Sequence, residues 1–101
     1  MWVRLGSFSV KPGGAAELVK TYNELAVPKV RGCAGNHACL LLEPADGADP
    51  FVAVTIWESR AAAEAYESSG TAAEVVSLVR ALFAGPPTLR SYESNSVRGL
   101  P

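Results

Sequence analysis

The chain has 101 residues, enough for one core and no second domain, and 49 % of them are hydrophobic while only 19 % are charged, a composition that belongs to a folded chain. Nine Lys and Arg against ten Asp and Glu leave a formal net charge of -1, and the cations are scattered singly, so no nucleic acid is expected as a partner. Apolar runs fall far short of the ~20 residues that span a bilayer, and Met1-Trp2-Val3-Arg4 lacks the basic and apolar regions of an export leader, which gives no membrane and a cytoplasmic location as the expectation.

Trp2 to Val10 is rich in β-branched and aromatic residues, with Trp2, Arg4, Gly6, Phe8 and Val10 on one side and Val3, Leu5, Ser7 and Ser9 on the other, and reads as the first strand. Pro12-Gly13-Gly14 ends it. From Ala15 the apolar positions Ala15, Leu18, Val19, Tyr22, Leu25 and Ala26 follow helical spacing. Pro28 lacks an amide donor and disfavours helix at Val27, so this helix either stops there or continues with a kink towards Val30.

Gly32 to Gly35 is a turn-like entry to a second strand over Asn36 to Glu43, whose run Cys39-Leu40-Leu41-Leu42 suits a strand covered on both faces. The turn residues from Pro44 to Pro50 join it to the strongly β-prone Phe51-Val52-Ala53-Val54-Thr55-Ile56-Trp57, and the two read as a hairpin with a long loop. Ser59 is placed to cap a helix carrying Ala61, Ala62, Ala65 and Tyr66, which Ser68-Ser69-Gly70 interrupts. Thr71-Ala72-Ala73-Glu74 fits a capping box, and Val75, Val76, Val79, Leu82 and Phe83 supply the stripe of a further helix to about Phe83. Gly85-Pro86-Pro87 stops it, and Thr88 to Ser94 is the last strand.

The order β, α, β, β, broken α, β predicts an α+β fold of ferredoxin-like βαββαβ topology over residues 1–95, followed by a tail at 96–101. Helices then cover one face of a four-stranded antiparallel sheet. The strands carry apolar residues of both parities, Val52, Val54 and Ile56 against Phe51, Ala53 and Trp57, so the open face would expose a larger apolar patch than monomers tolerate. A homodimer built sheet to sheet is the expected solution.

Cys33 and Cys39, read as parts of one strand, would stand ~20 Å apart at the strand rise of about 3.3 Å per residue, too far for a disulfide, and are expected to be buried small hydrophobes. With a single histidine, His37, and no CxxC motif, no metal site is expected.

At Thr55-Ile56-Trp57-Glu58-Ser59-Arg60 the chain resembles the antibiotic biosynthesis monooxygenase family, whose members form dimeric α+β barrels. Phe8-Ser9-Val10-Lys11-Pro12-Gly13, Gly32-Cys33 and Gly85-Pro86-Pro87 extend the likeness over nearly the whole chain. The resemblance implies a cavity between sheet and helices, where some relatives oxidise aromatic polyketide intermediates with molecular oxygen and without metal or flavin. An acidic phenol or anthrone can be deprotonated, give an electron to oxygen and recombine with it, so the protein need only bind, orient and stabilise an anion. No cofactor is therefore expected.

Carried over by position, the asparagine that quinone-forming relatives hold four residues before the tryptophan is Ala53 here, and their tyrosine six residues after it is Ala63. The axial histidine of haem-degrading relatives falls at Val76 and their first-strand asparagine near Ser7, which argues against haem cleavage. Many small members have histidine at Tyr66.

The residues expected to carry chemistry are Trp57, Tyr66 and His37, and those expected to bind substrate are Phe8, Tyr22, Asn36, Trp57 and Tyr66. Each also has a structural reading: Trp57 as a core aromatic at the end of the sheet, Tyr66 and Tyr22 as amphipathic helix residues, and His37 as an ordinary strand residue without a neighbouring carboxylate. Two functions remain open. One is a cofactor-independent oxygenase for a small aromatic or quinone; the other is a dimeric small-molecule-binding or accessory protein with the fold but not the chemistry.

Overall fold

Alternation along the first strand decides how the molecule is layered. In the computed structural model, which describes residues 1–99, β1 (Trp2–Phe8) pairs antiparallel with β3 (Phe51–Trp57) from Trp2↔Trp57 to Phe8↔Phe51. This register puts Trp2, Arg4, Gly6 and Phe8 on the same face as Trp57, Thr55, Ala53 and Phe51, since directly opposed residues point the same way. β2 (Asn36–Leu42) joins the outer edge of β3 and β4 (Thr88–Glu93) the outer edge of β1, both antiparallel, to give the order β2-β3-β1-β4. The fold is α+β, ferredoxin-like, as the order of elements predicts.

The helices lie on the aromatic face. α1 (Ala15–Thr21) runs into a π-helical segment, Tyr22–Ala26, and then α2 (Val27–Arg31). The segment explains how the chain passes Pro28. A proline inside a helix removes one backbone bond and clashes with the carbonyl four residues earlier, and the wider turn, in which the Val27 N–H reaches back to the Tyr22 carbonyl, absorbs that misfit. The helix neither stops nor breaks. Leu18, Tyr22, Ala26 and Val30 remain one buried stripe across all three pieces.

α3 (Arg60–Ser68) starts as expected at Ser59, whose Oγ accepts the Ala62 N–H at 3.1 Å and so satisfies one of the orphan amides. α4 (Thr71–Val79) does not use the expected capping box. Its N-cap is Gly70 in the left-handed region with φ 88°, and Thr71, already helical, turns its hydroxyl to Ser69 Oγ at 2.9 Å. α4 gives way to a 3₁₀ turn at Arg80–Leu82, short of the helix to Phe83 that the apolar stripe predicts. Residues 96–99 carry no regular structure, and the last two of the expected tail, 100 and 101, lie outside the described residues.

Two apolar clusters fill the space between helices and sheet. One gathers Tyr22, Ala26, Val30, Trp57, Ala63, Tyr66 and Val75; the other gathers Phe8, Leu18, Phe51 and Val79, with the Phe83 ring stacked on Phe8 at 4.4 Å between centroids. The opposite face of the sheet holds Val3, Leu5, Leu40, Leu42, Val54 and Ile56 by register, and Leu40, Leu42 and Tyr92 are 46 %, 49 % and 52 % exposed. The cysteine expectation needs correction. Cys33 lies in the turn before β2, not in the strand, and both thiols are free and only partly buried.

Gly35 holds the junction that carries Trp57. Its φ is +80°, an added Cβ would stand 2.7 Å from Ala62 Cβ and 3.0 Å from Glu58 Cγ, and its carbonyl accepts the Glu58 N–H at 2.8 Å. Gly35→Ala therefore combines a left-handed penalty of roughly 1–2 kcal/mol with a steric clash, and urea unfolding should place the variant about 2–4 kcal/mol below the native chain. A variant within about 0.5 kcal/mol of native, the usual range for a neutral surface change, would contradict this reading of the junction.

Candidate functional site

One cross-strand pair leaves room under the helices. On the helix-facing side of the sheet, Gly6 of β1 is opposed to Ala53 of β3, the smallest side chains in a row otherwise made of Trp, Arg, Phe and Thr. Above them α4 contributes Ala72, Ala73, Val75, Val76 and Val79. The result is a cavity of about 460 Å³ bounded by members of both core clusters, with exposed Arg80, Pro87 and Leu89 at its rim. This volume is within the range of small-molecule sites.

Besides Glu67 and the exposed Arg80, four polar side chains interrupt the apolar walls. Tyr22 reaches in from the π segment, Tyr66 from α3, Arg4 from β1 and Thr55 from β3. Tyr66 packs its ring on Trp57 with centroids 4.8 Å apart, and Arg4 lies over the Tyr66 ring with Cζ 5.6 Å from the centroid, within cation–π range. Arg4 also pairs with Glu67 across 2.6 Å. Thr55 Oγ1 accepts the Trp57 indole N–H at 2.9 Å, and the Tyr22 hydroxyl is 3.4 Å from Cys39 Sγ.

Burial sets the protonation of these groups. It pushes the Tyr66 phenol up to about 12, against an opposing pull from the Arg4 charge. It also raises Tyr22 well above the ordinary phenol range, with the Cys39 contact adding to the shift. Both tyrosines are therefore neutral near pH 7 and present O–H donors instead of bases. Cys39 is raised as well, chiefly by burial, although Tyr22 and Arg31 oppose it.

Of the residues singled out from sequence, Phe8, Tyr22 and Tyr66 meet at the cavity wall. Trp57 does not. It is wholly buried and stands behind Tyr66, so no face of its ring is open for stacking on a bound molecule. Asn36 and His37 are also outside the lining. Asn36 spends its amide on the strand junction, with Nδ2 donating to the Ala38 and Ile56 carbonyls at 3.1 and 3.3 Å and Oδ1 accepting from Arg31 at 2.8 Å. His37 is the extra residue of a β-bulge between Asn36 and Ala38, a feature that alternation cannot foresee.

Arg4, Thr55, Glu67 and Arg80 line the cavity without having been picked out from the sequence as site residues. For Arg4 the signal was present: a charge on the same strand face as Trp2 and Phe8 points into the core or into a site. Among the described residues no group of three His, Cys, Asp or Glu is placed to hold a metal ion, and no helix is long and apolar enough to cross a membrane.

The antibiotic biosynthesis monooxygenase family model matches residues 1–78. Solved structures with the same fold include the haem-degrader MhuD of Mycobacterium tuberculosis with two haems bound in its active site, 27 % identical, with TM-score 0.78 over 98 % of this chain and 100 % of that one. An asparagine-to-alanine mutant of SnoaB, a cofactor-independent oxygenase from Streptomyces nogalater, is 17 % identical with TM-score 0.78 over 95 % of this chain and 94 % of that one. A Nitrosomonas europaea protein of unknown function is 22 % identical with TM-score 0.79 over 99 % and 93 %. No curated protein matches the chain. A family model that spans more than three quarters of the sequence, including the whole β1-to-α3 region and most of α4, assigns the chain to the antibiotic biosynthesis monooxygenase family.

Proposed function

We propose that this protein is a cofactor-independent monooxygenase for a small, flat aromatic or quinone-type molecule, bound between the sheet and the helices. The observation that carries this reading is the cavity itself: apolar walls wide enough for a ring system, with the neutral hydroxyls of Tyr66 and Tyr22 and the guanidinium of Arg4 converging on it. Apolar walls favour the ring system by burial, and in this reading the donors hold an oxygen anion as it forms. Oxidation of an anthrone methylene to a carbonyl needs only molecular oxygen. The carbon gives up two hydrogens, one oxygen atom becomes the carbonyl and the other leaves as water, so the substrate itself is the reductant.

Haem fits the lining poorly. His37, the chain's only histidine, is not part of the cavity, and Val76 presents an isopropyl group where the resemblance puts the axial histidine of haem-degrading relatives. Of the side-chain oxygens in the lining, Glu67 is paired with Arg4, Thr55 accepts the Trp57 indole N–H, and burial raises Tyr22 and Tyr66, whereas a tyrosine binds haem iron through its ionised oxygen.

A second reading, a non-catalytic binding protein, is favoured by Ala53, which brings a methyl group to the wall where the resemblance puts an asparagine in quinone-forming relatives. The same methyl enlarges the cavity floor, so it speaks for binding under either reading. We further propose that the open sheet face pairs with a second copy, because the apolar side chains of Leu40, Leu42 and Tyr92 form part of a face that water would otherwise cover.

Oxygen uptake with a dihydroxyanthracene or anthrone should exceed the uncatalysed rate, and Tyr66→Phe should lower turnover on the order of a hundredfold with little change in KM, as for the loss of one donor to a developing anion. Uptake at the uncatalysed rate would leave the binding reading; a raised KM with unchanged turnover would make Tyr66 a binding group only. Sedimentation at micromolar concentration should return twice the 10.6 kDa chain mass, and a single monomer species would remove the sheet-to-sheet dimer.

A further inference from the structure

Gly6 stands in the middle of β1, paired on one side with Ala53 of β3 and on the other with Leu89 of β4. Glycine is a costly residue there, since it surrenders more backbone freedom on folding than any other and gives the sheet no side chain to pack. Three structural reasons commonly account for one in a strand: a left-handed backbone, a bulge, or a neighbour so close that a Cβ has no space. None applies here. The described glycines with positive φ are Gly13, Gly35, Gly70 and Gly99, and the register runs unbroken through Gly6 with both neighbouring strands. An added Cβ would meet only Leu89 Cδ2, at 3.4 Å, an ordinary contact with a residue that is 59 % exposed and whose side chain can turn aside.

What the missing side chain supplies is depth in one direction. Leu41, Ala53, Gly6 and Leu89 form a single row across the sheet on its helix-facing side. Leu41, packed against both core clusters, closes the inner end of the row, and Leu89 with Pro87 leaves the outer end at the exposed rim. Two residues away along the strands, Phe8 and Phe51 stand on one flank with ring centroids 6.0 Å apart, and Arg4 and Thr55 stand on the other. The space over Gly6 is therefore a trough, walled along the strands and open across them towards β4. From Ala53 to Leu89 it covers two strand spacings, ~10 Å, and its roof is the valine side of α4.

We propose that Gly6 is the specificity-determining position of this cavity: its absent side chain lets a fused ring system lie across β1, with its long axis perpendicular to the strands, and so sets how long a ring system the site accepts. The inference rests on the small-aromatic reading and adds to it a direction of entry, from the β4 side, and a residue that selects by length. Alanine at this position puts a methyl group in the middle of the trough. A ligand that spans the row from Ala53 to Leu89 has to pass over that methyl under the roof of α4, whereas a shorter one settles over Ala53 beside it. The competing view is that Gly6 serves only the twist of the central strand, and it predicts that alanine weakens the fold and treats ligands of both lengths alike.

The test compares Gly6→Ala with the native chain by thermal unfolding and by equilibrium dialysis against two uncharged probes, 9,10-anthraquinone with three fused rings and 1,4-naphthoquinone with two. The melting temperature should rise by about 2–8 °C, because alanine reduces the entropy of the unfolded chain and is accepted without strain in the folded one. Anthraquinone affinity should fall about tenfold or more, the usual order for a methyl group forced into occupied space, while naphthoquinone affinity stays within about twofold. A melting temperature at or below that of the native chain, failure of the variant to fold, an unchanged anthraquinone affinity, or an equal loss for both quinones would each overturn the role of Gly6. Failure of the native protein to bind either quinone is a different result and would remove the small-aromatic reading on which the inference stands.

Discussion

The indole N–H of Trp57 has to find an acceptor in a place that water does not reach, and Thr55 provides it at 2.9 Å. An unpaired donor at that depth would cost on the order of 1–3 kcal/mol. The partner is available because positions two apart on a strand share a face, and that spacing ties the rest of the site together. With Trp57 fixed, Tyr66 packs on its ring from α3, Arg4 lies over Tyr66 from the neighbouring strand, and the Thr55 oxygen is left at the cavity wall. Trp57 thus touches the cavity wall only through Tyr66, whose ring packs on it, and its burial gives that wall a fixed backing.

The space in front of this stack depends on what the strands omit. Gly6 and Ala53 face each other in the middle of the helix-facing rows, with aromatic pairs at either end, and the depression between them is the cavity floor. The helix above is shaped to match. The π segment carries Tyr22 to the wall without losing the buried line from Leu18 to Val30, so a helix irregularity caused by Pro28 also serves the site, as such bulges often do. Apolar walls, two phenols held neutral by burial and the Arg4 guanidinium over the Tyr66 ring are the fixed groups on which the proposed function rests.

Much of this architecture was legible in the chain because its signals are local. Alternation marked β1 and β3, Ser59 announced its helix, and the Thr55-to-Arg60 motif pointed to the family. Thr71 misled because a glycine one residue earlier adopts φ 88° and starts the helix first, a choice governed by the preceding turn and not by the box pattern. Which of Asn36 and His37 faces the helices was not legible, because the extra residue at the start of β2 interrupts the alternation on which face assignments rest; Asn36 pairs with Trp57 on the helix-facing side but spends its amide on the strand junction. Arg4 was on the correct face from the outset, but its role depends on Tyr66 and Glu67, more than sixty residues away, which only the folded chain brings to it. Ala53 read as a missing amide in the sequence and reads as space in the structure.

The account turns on where a flat aromatic molecule goes, and methyl-resolved NMR answers that most directly. Titration with anthraquinone should shift the methyl signals of Ala53, Val75, Val76 and Val79, which line the cavity, and leave Leu40 and Leu42 on the opposite sheet face unmoved. Shifts concentrated at Leu40 and Leu42, with the cavity methyls unchanged, would place the ligand on the open face and contradict the account.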